Sequence, residues 1–242
     1  MLGLVLAIIT ALFMFAYISI FYLPKIKKMP ERQGVKAARK QLRKLSTVLL
    51  KVLGVKVNVT YINKLAIINL KNEDGIVLVA NHESNFDIPV IIKGFPMDIG
   101  FVAKKEMETW PFYSTWMKAS KCVFLDRSNP REGIKSIKRA VETIKAGYPT
   151  VIFPEGERTL DGNMGEFKKG SFKLATETKG VIVPISLVGT RSIQKRGSVL
   201  INRNKKINLT IGEPIYIKDL DEESLKNLNK IVKNIVQSNK KL

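Results

Sequence analysis

Cysteine and histidine are almost missing from this chain of 242 residues, which has one of each, Cys122 and His82. A lone cysteine forms no internal disulfide and builds no Cys-rich zinc site. Cys122 lies inside an apolar run and reads as core rather than as a reactive thiolate. A lone histidine excludes His-rich metal centres and confines imidazole chemistry to one address. Acidic residues are also scarce, 21 Asp and Glu against 41 Lys and Arg, and the resulting net charge of +20 asks for an anionic partner. Nucleic acid, lipid headgroups, or an acidic protein or cofactor would each serve. No G-x-S-x-G elbow offers a nucleophilic serine, and no G-x-G-x-x-G or Walker loop offers a nucleotide cradle. Global disorder is excluded, because 45% of the residues are apolar and can bury a core. The length suits one domain of ordinary size with some extra chain.

That extra chain is at the N-terminus. Residues 1–23 carry no charged side chain. As a helix at about 1.5 Å per residue they reach roughly 34 Å, close to the bilayer's hydrocarbon thickness of about 30 Å. Tyr17, Tyr22 and Pro24 mark the exit, and Lys25, Lys27, Lys28 and Arg32 follow at once. A cleavable signal peptide wants its positive charge before the apolar run and small residues after it; neither is present, so a retained anchor is expected. The positive-inside rule then places the remainder at the cytoplasmic face of the cell membrane. Further on, Val35, Ala38, Leu42, Leu45, Leu49 and Val52 recur at steps of three and four, with Lys36, Arg39, Lys40, Arg43, Lys44 and Lys51 around them. This periodicity predicts an amphipathic helix lying in an anionic lipid surface. A basic helix packed on the soluble domain, or a coiled-coil arm, is the alternative. Residues 1–54 are thus expected to be membrane-anchoring helices.

From residue 55 to 242 short β-branched runs alternate with helical stretches. The runs cover residues 55–61, 76–80, 100–103, 122–125, 150–153, 181–188 and 208–211. Those apolar throughout, IVLVA and VIVPISLV, suit strands buried on both faces. One helix is marked by Asn129 as N-cap, Pro130 at its first position and Glu132 in capping-box position, with a stripe of Ile134, Ile137, Val141 and Ile144. Gly147 and Pro149 end it. A last helix starts near Asp221. The alternation predicts an α/β domain with a mostly parallel or mixed sheet flanked by helices.

Polar residues follow the strand runs directly, where open α/β sheets bind ligands. After IVLVA comes Asn81-His82-Glu83-Ser84-Asn85-Phe86-Asp87. A regular helix would place His82 and Asp87 about 140° apart, so the pair meets only across a turn. A His held by a carboxylate is a general base, although a His beside an Asp is also a common structural hydrogen bond. Phe153-Pro154-Glu155-Gly156-Glu157-Arg158 follows another run, with a glycine for close approach and an arginine for phosphate. Arg127, the Lys104-Lys105 pair, and Lys168-Lys169 are further cations near strand ends, a position where most are merely solvated.

In this order the segments resemble the glycerophospholipid acyltransferase family, specifically its 1-acylglycerol-3-phosphate acyltransferases. NHESNFD matches a block N-H-x-x-x-x-D, VFLDR an apolar strand ending in Arg, FPEGER a block F-P-E-G-x-R, and IVPISLVG an apolar strand around Pro184. The segment from Ala103 to Phe112 is similar to the one the family carries between its first two blocks. Glu83 stands where the family usually has Gln, and Lys121 where a Gly often opens the second block. The resemblance implies a His82–Asp87 general-base pair, with Arg158, Arg127, Lys104, Lys105, Glu155 and Gly156 around the substrate phosphate and glycerol. It implies no metal and no cofactor: acyl-CoA or acyl-carrier protein is the co-substrate and lysophosphatidic acid the acceptor. Another lysophospholipid or glycerol 3-phosphate is the alternative acceptor. Two other classes compete, a membrane-tethered nucleic-acid binder and a lipid-binding scaffold without catalysis. Much of the basic charge flanks the apolar N-terminus and no nucleic-acid motif occurs, so nucleic acid is not an expected partner.

Overall fold

The strand runs assemble into one mixed sheet in the computed structural model, whose described residues are 2–126 and 130–241. Three helices come first: α1 (Leu2–Phe21), α2 (Leu23–Lys27) and α3 (Glu31–Val52). Then follow β1 (Lys56–Tyr61), α4 (Lys64–Ile68), β2 (Ile76–Ala80), α5 (Asp87–Gly94), β3 (Gly100–Lys104), α6 (Tyr113–Ala119) and β4 (Val123–Leu125). The chain continues through α7 (Pro130–Lys145), β5 (Thr150–Ile152), α8 (Lys173–Thr178), β6 (Val181–Val188), β7 (Lys206–Ile211), β8 (Ile215–Tyr216) and α9 (Glu222–Asn239).

The strands lie in the order β1-β7-β6-β2-β5-β3-β4, with β8 beside β6. From β6 to β4 all neighbours are parallel; β7 runs antiparallel to β6, and β1 parallel to β7. The polar segments after β2, β5 and β6 therefore emerge at the same end of the sheet. Side chains alternate across it, as the pleat requires. Ile76, Leu78 and Ala80 enter a core with α3 and α5 that includes Leu50, Leu53, Ile91 and Phe95. Val77 and Val79 face the opposite core, with Ile144, Leu174, Val232 and Val236 from α7, α8 and α9. Both faces are covered, as the unbroken apolar runs require.

The amphipathic α3 corrects one expectation. Its apolar stripe is covered by protein, not laid on lipid: Val35 and Ala38 are buried, Leu42 and Leu45 pack beside Ile18 and Trp116, and Leu49 and Val52 join the sheet core. Two of its basic residues are tied inward too, while Lys36, Lys40, Lys44 and Lys51 stay exposed. Arg39 is buried and donates to the carbonyls of Ser120 (3.0 Å) and Asp98 (2.9 Å), and burial lowers its pKa to about 10. Arg43 donates to the carbonyl of Phe95 (2.8 Å) and pairs with Asp98 at 3.5 Å. Ser120 and Phe95 follow the ends of α6 and α5, where carbonyls lack helical partners, so α3 caps both helices. α3 itself packs against α5 and α6.

The first helix differs. Ile18 is buried and Trp116 Nε1 donates to Ser19 Oγ at 2.9 Å, while Phe15 stacks on Tyr113. Ile9, Leu12, Phe13 and Ile20 stay exposed. Among the described residues one helical stretch, Ile9–Lys27, is long and apolar enough to cross a membrane. Arg127 and the expected cap Asn129 lie outside the described residues.

Candidate active site

Asn81 sets the height of the site. Its side chain donates to the carbonyl of Leu187 (2.9 Å) and accepts the amide of Leu187 (2.7 Å). An amide side chain thus extends the β2–β6 ladder by one step after the β2 backbone has turned away. The turn through Glu83, Ser84 and Asn85 then brings Asp87 back under His82, at the first turn of α5.

His82 Nδ1 lies 2.7 Å from Asp87 Oδ2. A carboxylate only accepts, so Nδ1 is the donor, and in the neutral imidazole Nε2 then keeps its lone pair. The same Oδ2 accepts the amides of Glu83 (2.7 Å) and Ser84 (3.0 Å), and Oδ1 takes the hydroxyl of Thr190. Asp87 is fully buried, so each of these donors offsets the loss of water around its charge. The imidazole stacks on Phe153, with ring centroids 4.0 Å apart, and keeps 17% of its side-chain surface open. A fixed ring with one free nitrogen at a surface opening can take a proton from an entering hydroxyl.

The segment after β5 braces this arrangement. Glu155 Oε1 accepts the amide of His82 and Oε2 accepts that of Gly165, both at 2.7 Å. Burial pushes the Glu155 carboxyl above its ordinary 4.5, and the amide donors pull it back only in part. Gly156, at φ +82°, closes the turn by donating its amide to the carbonyl of Phe153 at 3.0 Å. Thr159 donates its amide to the carbonyl of His82 at 2.9 Å, linking the two loops again.

The expected substrate-holding groups therefore separate. The carboxyl of Glu155 is occupied by two amides, which makes it a brace and not an open substrate contact. The Gly156 N–H is committed to its own turn. Lys105 is paired with Glu108 at 2.6 Å, turned to its own helical turn by the three-residue spacing. Arg158 is half-buried, and its guanidinium meets no protein acceptor among the described residues, while its carbonyl is held by Arg196 at 2.9 Å. Lys104, at the end of β3, is exposed and close enough to lower the pKa of Glu157, although Arg196 is the main cause of that shift. Beside Phe153 and Gly156 opens a groove of about 390 Å³, walled by Leu125, Ile137 and Ile152 with Lys138 and Lys168 on its lining.

Three participants escaped the sequence reading. Thr190 follows the last residue of the IVPISLVG match and completes the Asp87 shell. Phe153 supplies the floor for the imidazole. Lys240, just past α9, pairs with Glu83 at 2.9 Å, and Glu83 in turn accepts the amide of Gly189 at 3.1 Å.

Residues 59–188 match the family model described as Acyltransferase. A probable 1-acyl-sn-glycerol-3-phosphate acyltransferase of Mycoplasma pneumoniae is 32% identical over 219 residues, 83% of this chain and 78% of that protein. A chloroplast 1-acyl-sn-glycerol-3-phosphate acyltransferase of Brassica napus is 34% identical over 159 residues, 66% of this chain but only 46% of the plant protein. The crystal structure of the 1-acyl-sn-glycerophosphate (LPA) acyltransferase PlsC from Thermotoga maritima superposes with a TM-score of 0.77 at 25% identity, covering 99% of this chain and 96% of that one.

Proposed function

The chain belongs to the acyltransferase family, and from that premise we propose that it moves a fatty acyl group from a thioester to the 2-hydroxyl of 1-acyl-sn-glycerol 3-phosphate, giving phosphatidic acid. The observation that carries the reading is the 2.7 Å contact between His82 Nδ1 and Asp87 Oδ2, which leaves Nε2 for the acceptor alcohol. Nε2 takes the hydroxyl proton as the oxygen bonds to the thioester carbonyl carbon, and Asp87 stabilises the imidazolium that forms. The tetrahedral intermediate collapses by breaking the C–S bond. The departing sulfur takes the proton back from His82 and leaves as a free thiol of CoA or of acyl-carrier protein, the co-substrate. With no serine elbow, transfer is direct, in a ternary complex. Arg158, whose guanidinium has no protein acceptor among the described residues, holds the acceptor phosphate, with Lys104 nearby. The apolar walls of the groove beside Phe153 suit a fatty chain.

The acceptor lives in a bilayer, and α1 supplies the attachment. From Phe15 onward α1 is held against α3 and α6. We read α1 as the membrane attachment, with the domain on the cytoplasmic side, where the thioester is available. Net charge of +20 draws both the anionic surface and an acidic carrier.

The test is thiol release from acyl-CoA that depends on added lysophosphatidate, run for wild type and His82→Ala. General-base removal is expected to lower turnover by about 10²–10⁴-fold while vesicle binding is retained. A variant keeping more than about a tenth of its turnover overturns the role of His82, and a wild type indifferent to lysophosphatidate overturns the acceptor.

A further inference from the structure

The connection from β6 to β7 is a long excursion at the site end of the sheet, and its tip is apolar where loops are normally polar. Val199 is 90% exposed and Leu200 72%, with Leu160 of the neighbouring loop at 70%. Gly197 turns the tip at φ +77°, and nothing lies within 4 Å of where its Cβ would be. The inner side of the same loop is tied to both halves of the site. Ser84 Oγ donates to the carbonyl of Gln194 at 2.8 Å, and Asn85 Nδ2 to Gln194 Oε1 at 3.2 Å. Arg196 holds the carbonyl of Arg158 at 2.9 Å and pairs with the carboxylate of Glu157. Arg191 ties Leu160 in by donating to its carbonyl at 2.6 Å.

We propose that residues 194–203 form a membrane-inserting wedge: Val199 and Leu200 enter an anionic lipid surface, and the loop transmits its seating there to the His82 and Arg158 segments. This rests on the reading of the site as one that acts on a lysolipid. The occupant follows from shape and charge. Two adjacent, strongly exposed side chains make a point, not a groove, and Lys195 and Arg203 are exposed in the same loop, Arg203 with its guanidinium on the carbonyl of Val52 at 3.1 Å. Apolar residues flanked by cations match the boundary between acyl chains and anionic headgroups. A protein partner needs on the order of 1,000 Å² of matched surface, which such a point does not offer. The wedge lies at the end of the sheet where His82 is open, so a lysolipid leaving the bilayer beside Leu200 has a short path to Nε2. It is a second lipid contact, far along the chain from α1, and together the two fix the tilt of the site.

A fluorophore on Leu200→Cys, in full-length chain with Cys122 replaced by Ala, reports the tip directly. On vesicles of phosphatidylglycerol and phosphatidylcholine its emission is expected to shift to the blue and to be quenched by lipids brominated on their chains. In parallel, the double variant Val199→Glu/Leu200→Glu is expected to lose at least tenfold in turnover on long-chain lysophosphatidate in vesicles. It should stay within twofold of wild type on a short-chain, monomeric lysophosphatidate. A probe that remains in water on vesicles to which the chain is bound overturns the wedge. So does an equal loss on both acceptors, which marks a structural loop, or a change from dimer to monomer in the double variant, which marks contact between copies. If the wild type consumes no thioester at all, the proposed reaction fails, while the fluorescence arm still decides the insertion.

Discussion

Glu155 Oε1 accepts the main-chain amide of His82 at 2.7 Å, so the segment after β5 holds His82 by its backbone while Asp87 holds it by its ring. The second oxygen of Glu155 takes the amide of Gly165, which makes one carboxyl the joint between the loop after β2 and two stretches of the loop after β5.

The joint titrates in a direction that can be worked out. Burial raises the folded-state pKa of Glu155 above the ordinary 4.5, so the native state holds its proton more tightly than the unfolded chain does. Stability from this source is complete below about 4.5 and fades as the pH climbs through the raised value. Glu155→Gln removes the titration. The stability difference is therefore expected to move in favour of the variant as pH rises from about 4.5 toward neutrality. Urea midpoints for both proteins across that range check it, and midpoints that move in parallel contradict it.

Thr190 is expected to position Asp87 without touching substrate. One hydroxyl carries one proton, and the shorter contact, to Asp87 Oδ1, takes it ahead of Glu83 Oε2 at 3.4 Å. Thr190→Val leaves a buried carboxylate one donor short, a cost of about 1–3 kcal/mol. The expected result is a fall in kcat of about tenfold with KM for lysophosphatidate unchanged, and recovery in Thr190→Ser. A rise in KM alone, or no rescue by serine, assigns Thr190 to packing.

Much of this was legible before any coordinates, and what was not has identifiable reasons. IVLVA and VIVPISLV announce buried strands because both their faces are covered, and the residues next along the chain must then stand at the strand ends. His82, Asp87 and the FPEGER turn fall there. Thr190 lies 103 positions from Asp87 and Lys240 157 positions from Glu83; local pattern carries no trace of such pairings. The α3 stripe shows that an apolar face is covered, but lipid and protein impose the same period. Lys121 adopts φ +56°, a conformation that favours glycine, which accounts for the Gly that often opens this block in relatives. β8, two residues long, is too short for periodicity to register.

Two of the cations expected at the acceptor phosphate, Arg158 and Lys105, should part company on mutation. Arg158→Ala removes a charge-assisted contact worth about 1.5–3 kcal/mol and is expected to raise KM for lysophosphatidate by about 10–100-fold. Lys105 already neutralises Glu108 at 2.6 Å, so Lys105→Ala is expected to change KM by less than about threefold. Steady-state kinetics with the acceptor varied at saturating acyl-CoA separates them. Equal effects would mean that Lys105 leaves Glu108 to bind substrate.

The pairing of Glu83 with Lys240 explains how a carboxylate is accommodated where relatives usually carry Gln. Glu83 is 6% exposed and shares Thr190 with the buried Asp87, so two carboxylates crowd one hydroxyl. Lys240 Nζ, 2.9 Å from Glu83 Oε1, supplies the countercharge from the far end of α9. Lys240→Met leaves that charge unpaired and is expected to destabilise by about 2–3 kcal/mol. Glu83→Gln keeps an acceptor for the Gly189 amide at 3.1 Å and gives up the charge, so its effect is expected to stay below about 1 kcal/mol. The double variant should then recover most of the stability lost in Lys240→Met, a coupling that a double-mutant cycle of urea denaturation measures. Additive losses would show that Lys240 merely packs against the site, and that the charge on Glu83 is tolerated for some other reason.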